Sequence, residues 1–169
     1  MKRIFCLIVL CLLPVSALAD PVPSGGAAVA AAPFRPDAAY QADARLLDRL
    51  QRDTFRYIWE DGCPVSGMAY ESSEAWDIRP VAVGGTGFGI AAIVVAADRG
   101  WITREQALIR LRTIALFLRD KTSRRLLHGA FPHWINGKTG ETLPFGKNDT
   151  GADIVETAFG MQGLLVDRA

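Results

Sequence analysis

Residues 90–97 read Ile-Ala-Ala-Ile-Val-Val-Ala-Ala, with no polar interruption. The helix this predicts, residues 86–99, is hydrophobic nearly all round. Such a helix has no face to give to water, so other protein layers must enclose it. Gly100 follows in the C′ position, where a left-handed residue commonly ends a helix. Thr103-Arg104-Glu105-Gln106 is then a capping box, opening a second helix that runs to about Asp120. In it Leu108, Leu111, Ala115 and Leu118, with Ile114 nearby, predict an inward face. Arg104, Glu105, Arg110, Arg112 and Arg119 predict an outward one. An enclosed helix followed by an amphipathic one is the alternation of an inner layer wrapped by an outer layer. The expected class is all-α.

Upstream, residues 40–60 predict a first helix with Leu47, Leu50, Thr54 and Tyr57 on one stripe and Phe55 and Trp59 as aromatic bulk. Residues 61–85 are loop-like, with a turn at Asp61-Gly62-Cys63-Pro64 and a short extended piece at residues 66–71. Tyr70, Trp76 and Arg79 are the residues here suited to binding a carbohydrate, by stacking and hydrogen bonding. Gly84-Gly85-Thr86-Gly87-Phe88-Gly89 imitates a dinucleotide fingerprint, but Ile90 stands where the third glycine belongs, and no Gly-Lys-Ser/Thr follows. It reads as the glycine-rich start of a tightly packed helix, and no cofactor is expected.

The chain opens with Met1-Lys2-Arg3, a ten-residue apolar run at 4–13 and a small-x-small Ala17-Leu18-Ala19. This is the pattern of a secretory signal peptide over residues 1–19, too short to span a membrane. The expectation is export to the periplasm or medium, with cleavage after Ala19. Residues 20–38, rich in Pro, Ala and Gly, predict a flexible spacer, and residues 39–169 the folded part. Cys6 and Cys11 leave with the signal, and Cys63 alone makes neither an internal disulfide nor a structural zinc site. A formal net charge of +1 argues against a nucleic acid partner.

Downstream, Asn136-Gly137 and Thr139-Gly140 supply turn chemistry for a hairpin, with His133 and Trp134 at its start as a candidate acid/base and a stacking platform. Residues 149–165 predict a last helix. At ~100° per residue Asp153 lies about 40° from Asp149 and Glu156 about 20° on its other side. Three carboxylates thus share one face, continued by Gly160 and Gly163, while Ile154, Val155, Phe159, Met161 and Leu165 occupy the rest. That pattern predicts a helix buried on most sides, whose acidic edge looks into a sugar-sized cavity. The structural alternative is an Asp149 cap with Asp153 on the helix dipole, which leaves Glu156 unexplained. A metal site is not expected, since no His-Glu-x-x-His or comparable spacing occurs.

Leu46-Leu47-Asp48, Thr54-Phe55-Arg56-Tyr57, Gly85-Thr86-Gly87-Phe88-Gly89, the 100–107 stretch, Gly129-Ala130-Phe131-Pro132-His133-Trp134 and Asp149…Asp153-Ile154-Val155-Glu156 follow one another in order. Together they resemble the glucoamylase-like domain of bacterial endo-β-1,2-glucanases, glycoside hydrolase family 144. The resemblance implies a partial (α/α)6 barrel with a short β-hairpin, and hydrolysis of β-1,2-glucan with inversion. It places the candidate acids on Asp149, Asp153 and Glu156, and His133 and Trp134 in the sugar cleft. Where the family often carries Asp-Arg after its Gly-x-Ala-Tyr, Tyr70 is followed here by Glu71 and Ser72.

The family domain is longer, so about a third of a barrel is expected here. An inverting glycosidase separates its two carboxyls by ~6.5–9.5 Å, whereas residues three apart on a helix have Cβ atoms only ~5–6 Å apart. A partner acid from another element is therefore required, and none of the upstream acids stands out. The chain is expected to recognise glucan with little or no turnover, and to self-associate through uncovered apolar faces. Another glucan hydrolase, a lyase or phosphorylase, or a non-catalytic carbohydrate-binding or envelope-associated remnant remain as alternatives.

Overall fold

A computed structural model describes residues 38–74, 78–122 and 126–168. The expected signal peptide, the expected spacer up to residue 37, and Trp76 lie outside the described residues. The chain divides into two units, Met1–Asp53 and Thr54–Ala169. Helix α1 runs Ala38–Glu60. In the first unit its turns carry Leu46, Leu47 and Leu50, each at least half exposed. The inward stripe expected of Leu47 and Leu50 therefore has no covering layer among the described residues.

The second unit starts with the last turns of α1. Phe55, 5% exposed, stacks on Trp59 at 5.9 Å and meets Trp101 at 5.8 Å. After the 61–79 loop, strand β1 (Pro80–Ala82) leads straight into α2 (Val83–Asp98), which begins three residues before the expected start. The glycine-rich stretch is thus helical, and α2 is largely enclosed, with Ile90, Ile93 and Ala96 almost fully buried. Burying side chains of that size contributes ~1.5–3 kcal/mol each for the larger ones. The one hydroxyl in its first turns is satisfied: Thr86 Oγ donates to the Ala82 carbonyl at 2.6 Å and accepts from the Ala69 amide at 3.1 Å. At the other end Trp101 N–H reaches the Ala96 carbonyl at 2.8 Å and Gly100 N–H the Ala97 carbonyl at 3.2 Å. Gly100 has φ +69°, so this is a Schellman stop.

Helix α3 (Arg104–Phe117) opens with both capping-box hydrogen bonds, as the sequence predicts. Its inward face is Ala107, Leu111, Ile114 and Phe117, while Leu108 is 65% exposed. Leu111, Ile114 and Leu118 are thus buried as expected, while Ala107 and Phe117 take the places expected of Leu108 and Ala115. The helix then widens into a π turn, Leu118–Thr122, that buries both end residues and places Thr122 Oγ on the Leu118 carbonyl.

Strand β2 (Trp134–Asn136) pairs antiparallel with β1, Val81 opposite Ile135 and Ala82 opposite Trp134. The predicted turn does fold back. Gly140 N–H donates to the Asn136 carbonyl, Asn136 N–H to the Glu141 carbonyl, and Ile135 bridges Thr142. The ladder of β2 is nonetheless the long-range one with β1, a partner that local turn signals cannot name.

Helix α4 (Ile154–Arg168) corrects the expected last helix twice. It starts after Asp153, leaving Asp149 in the preceding loop. Its buried face is also the reverse of the expected one. Gly160 and Gly163 are buried against α2, while Ile154 is 79% exposed and Val155, Phe159, Met161, Leu165 and Val166 are exposed too. The reason is backbone proximity: a Cβ on Gly87 would strike the Phe159 carbonyl, and one on Gly163 the Gly87 carbonyl. Two helices approach most closely where neither has side chains, and Phe88 against Phe159 at 4.9 Å flanks the contact. None of the described helices is long and apolar enough to cross a membrane.

Candidate active site

Three chain segments converge where α2 and α4 begin. His133 N–H donates to the Gly151 carbonyl at 2.8 Å, Asp153 N–H to the Phe131 carbonyl at 2.9 Å, and Val83 N–H to the His133 carbonyl at 3.2 Å. Thr157 fastens the junction further, its hydroxyl accepting from Phe131 N–H at 2.8 Å and donating to the Asp153 carbonyl at 2.7 Å. The backbone around His133 is thereby locked to both helix starts.

Asp153 is the cap of α4. Its Oδ1 accepts from Val155 N–H at 2.8 Å and Glu156 N–H at 3.0 Å, while Oδ2 lies 3.1 Å from His133 Nδ1. Burial pushes this carboxyl up, but the two amides and the imidazole outweigh burial and hold it below the ordinary aspartate range. An Asp153 anion accepting at Oδ2 fixes His133 with its proton on Nδ1 and turns Nε2 toward Glu156, whose Oε1 is 3.9 Å away.

Glu156 stands in the first turn of α4, its side chain only 17% exposed. Its Oε2 accepts from the Gly84 amide of α2 at 2.6 Å. The approach depends on glycine, because a Cβ on Gly84 would lie 2.8 Å from that oxygen. Two helix N-termini thus meet at one carboxylate. Glu156 keeps Oε1 beside His133 while Oε2 serves the first turn of α2, whereas Asp153 caps its own helix.

Asp149 is exposed and does another job. It accepts from Phe145 N–H at 2.7 Å and Gly151 N–H at 2.9 Å, and these amides depress its pKa. The clasp holds Phe145 over the site, its ring 4.0 Å from Trp134 and 4.8 Å, edge-on, from His133. Phe145 is 58% exposed, a ring of the kind that stacks on a sugar face. Sequence reasoning missed it, since a lone aromatic in a loop carries no periodic signal.

Glu71 was missed as well. It follows Tyr70, which bridges Val81, and its own N–H donates to the Pro80 carbonyl at 2.9 Å. Successive side chains of an extended segment point to opposite faces. Glu71 accordingly lies within the electrostatic reach of Trp134, His133 and Glu156, whereas Tyr70 belongs elsewhere. Burial raises the Glu71 pKa, Trp134 and His133 counter it, and the Glu156 charge adds to the rise. No local pattern marks it, since residues 66–69 are all buried and Gly67 turns at φ +74°.

Tyr70 and Arg79 form a second cluster with Asp61 and Cys63. The Arg79 guanidinium sits 3.9 Å over the Tyr70 ring and pairs with Asp61 at 2.9 Å, and Tyr57 donates its hydroxyl proton to the Tyr70 carbonyl. Cys63 is buried, with its Sγ 3.4 Å from the Gly137 carbonyl. A cavity of about 290 Å³ opens beside them, lined also by Ile78, Asn136 and Lys138. Of the sugar-binding residues expected in the 61–85 loop, Tyr70 and Arg79 are thus gathered in this second cluster and not at the carboxylates. Among the described residues no three His, Cys, Asp or Glu side chains are arranged to hold a metal ion.

Relatives share this arrangement of elements. No family profile matches the sequence. An exo β-1,2-glucooligosaccharide sophorohydrolase of Parabacteroides distasonis is 46% identical over 127 residues, 75% of this chain and 17% of that protein. The crystal structure of a β-1,2-glucanase from the same species superposes with a TM-score of 0.68 at 46% identity, over 75% of this chain and 18% of that one. An endo-β-1,2-glucanase from Chitinophaga pinensis, solved with sophorotriose and glucose, gives 0.66 at 44% identity, over 73% and 30%. The chain spans less than a third of the length of each. Its helices and short sheet are those of part of a glucoamylase-like (α/α)6 barrel. The chain belongs to the glucoamylase-like family of these relatives, as a homologue of one segment of those longer proteins.

Proposed function

We propose that this chain carries the glucan-recognising acid/base face of a β-1,2-glucan hydrolase, binds β-1,2-gluco-oligosaccharides, and turns them over slowly or not at all by itself. The observation that carries this reading is Glu156, a largely buried carboxylate held by the Gly84 amide beside His133, whose ring Trp134 and Phe145 flank. A carboxylate with one oxygen on a helix amide and the other beside an imidazole suits proton transfer at a glycosidic bond. Asp149 and Asp153 serve differently: the first positions Phe145, the second caps α4 and orients His133. The names of the relatives support the choice of a β-1,2-linked glucan. The basic start and apolar run of residues 1–13 support an exported location.

Calorimetric titration with β-1,2-gluco-oligosaccharides, alongside a reducing-sugar assay, tests the reading. Saturable binding that Glu156→Gln weakens severalfold, with little sugar release, is the expected result. Absence of binding at millimolar oligosaccharide would overturn it. Binding that Glu156→Gln leaves untouched favours a non-catalytic carbohydrate-binding role.

A further inference from the structure

The loop that leads from the hairpin to α4 is anchored at both ends on the backbone of His133 and Trp134. Leu143 N–H donates to the Trp134 carbonyl at 3.0 Å, and the Gly151 carbonyl accepts from His133 N–H at 2.8 Å. Gly151 passes so close to Thr142 that a Cβ there would strike that side chain. Compact loops whose ends meet in this way are frequently functional. Residues 144–150 are exposed throughout, yet Phe145 among them is firmly held. Asp149 Oδ2 accepts from Phe145 N–H at 2.7 Å and Oδ1 from Gly151 N–H at 2.9 Å, while Asp149 N–H closes the turn on the Gly146 carbonyl at 3.1 Å. The Phe145 ring is backed by Trp134 at 4.0 Å and by His133, edge-on, at 4.8 Å. More than half of the residue stays open. The imidazole it borders is the one whose Nε2 faces Glu156 Oε1 at 3.9 Å.

We propose that Phe145 is the platform on which a glucosyl ring stacks at this site, and that Asp149 is its positioning residue and touches no sugar itself. A β-glucopyranosyl unit carries its hydroxyls equatorially, so each of its faces presents axial C–H groups to the negative face of an aromatic ring. An axial hydroxyl, as at the 4-position of galactose, interrupts one of those faces. The platform therefore selects flat, all-equatorial pyranose rings. A ring fixed before the ligand arrives has little freedom left to lose on binding, which is what the Asp149 clasp and the two backing rings provide. Both Asp149 oxygens are occupied by backbone amides, which leaves its carboxylate no part in proton transfer. The proposal rests on the glucan reading for its ligand, and adds to it the side chain that grips the sugar.

Calorimetric titration of the full chain with β-1,2-gluco-oligosaccharides, and in parallel with cello-oligosaccharides, tests both halves of the proposal. Phe145→Ala should weaken binding about fivefold or more, the loss expected when a contact that matters is truncated. Phe145→Tyr should keep the affinity and Phe145→Leu should not, which separates an aromatic face from mere apolar bulk. Asp149→Asn leaves one acceptor for two amides and should weaken binding severalfold. In the Phe145→Ala background the same change should cost nothing further, because the two residues act through one ring. The loop is exposed, so these variants should keep the wild-type circular dichroism. Wild-type affinity in Phe145→Ala or Phe145→Leu overturns the platform, and the glucan reading then stands if Glu156→Gln still weakens binding. An Asp149→Asn loss that persists in Phe145→Ala overturns the positioning role, since Asp149 would then meet the sugar directly. Phe145-dependent binding of cello-oligosaccharides without any binding of β-1,2-gluco-oligosaccharides defeats the glucan reading and leaves the platform. Binding of neither overturns both.

Discussion

Asp153 carries three obligations with two oxygens: two amides of α4 on one and His133 on the other. Replacing it with alanine should cost about 1 kcal/mol, the usual worth of an N-cap, read as a lower denaturant midpoint with unchanged slope. It should also release the His133 tautomer, so that imidazole nitrogen-15 shifts move toward a mixture of Nδ1–H and Nε2–H forms. A stability loss without the tautomer change would separate the cap from the orienting role. The pH dependence follows from the direction of the shift. The folded-state pKa of Asp153 is depressed, so its contribution is complete above the unfolded value of about 3.9 and is lost as pH falls through the lower folded value. The wild type should therefore lose stability in that acid window more steeply than Asp153→Ala.

At the scale of elements, α2 and α4 are held by the absence of side chains. Gly87→Ala forces a methyl group onto the Phe159 carbonyl, and overpacking of that kind costs about 1–3 kcal/mol. Gly100→Ala meets nothing within 4 Å, so it should cost only the conformational penalty of a non-glycine residue at φ +69°, about 1 kcal/mol. Urea unfolding of the two variants compares them directly. Equal losses would mean that the helix contact is looser than these backbones indicate. The same contact explains what the sequence made legible. The enclosed helix, its Schellman stop and the capping box of α3 are local signals, and all three stand in the structure. The burial of α4 was misread because hydrophobicity was taken as the guide to its packed face, whereas close approach selected Gly160 and Gly163. Of the site, Glu156 and His133 were legible from residue type and spacing. Glu71 and Phe145 reach it through a long-range ladder and a loop clasp, which no short stretch encodes.

Over the whole molecule, the apolar side chains released by that packing remain at the surface. Ile154, Val155, Met161, Leu165 and Val166 on α4, and Leu108 and Ile109 on α3, are each more than two-fifths exposed. Exposed apolar side chains in this number on two helices mark an interaction face or an aggregation liability. Sedimentation should show concentration-dependent association, and a hydrophobic dye should bind the native protein. Glutamate at Leu108, exposed and remote from the carboxylates in sequence and element, should reduce association without altering the circular dichroism. A monodisperse monomer that binds no dye would exclude self-association through these faces.

The bridge between Tyr70 and Val81 is also a sorting device. Along one extended stretch it sends the phenol to the arginine–cysteine side and the adjoining carboxyl to the imidazole side. Loss of a single amino acid between Cys63 and Tyr70, with the strand kept in place, would exchange the two destinations. An ionisable acid would then meet Asp61, and an aromatic alcohol would stand before Glu156. The chemistry of this surface is thus as sensitive to the parity of one short loop as to the identity of any residue in it.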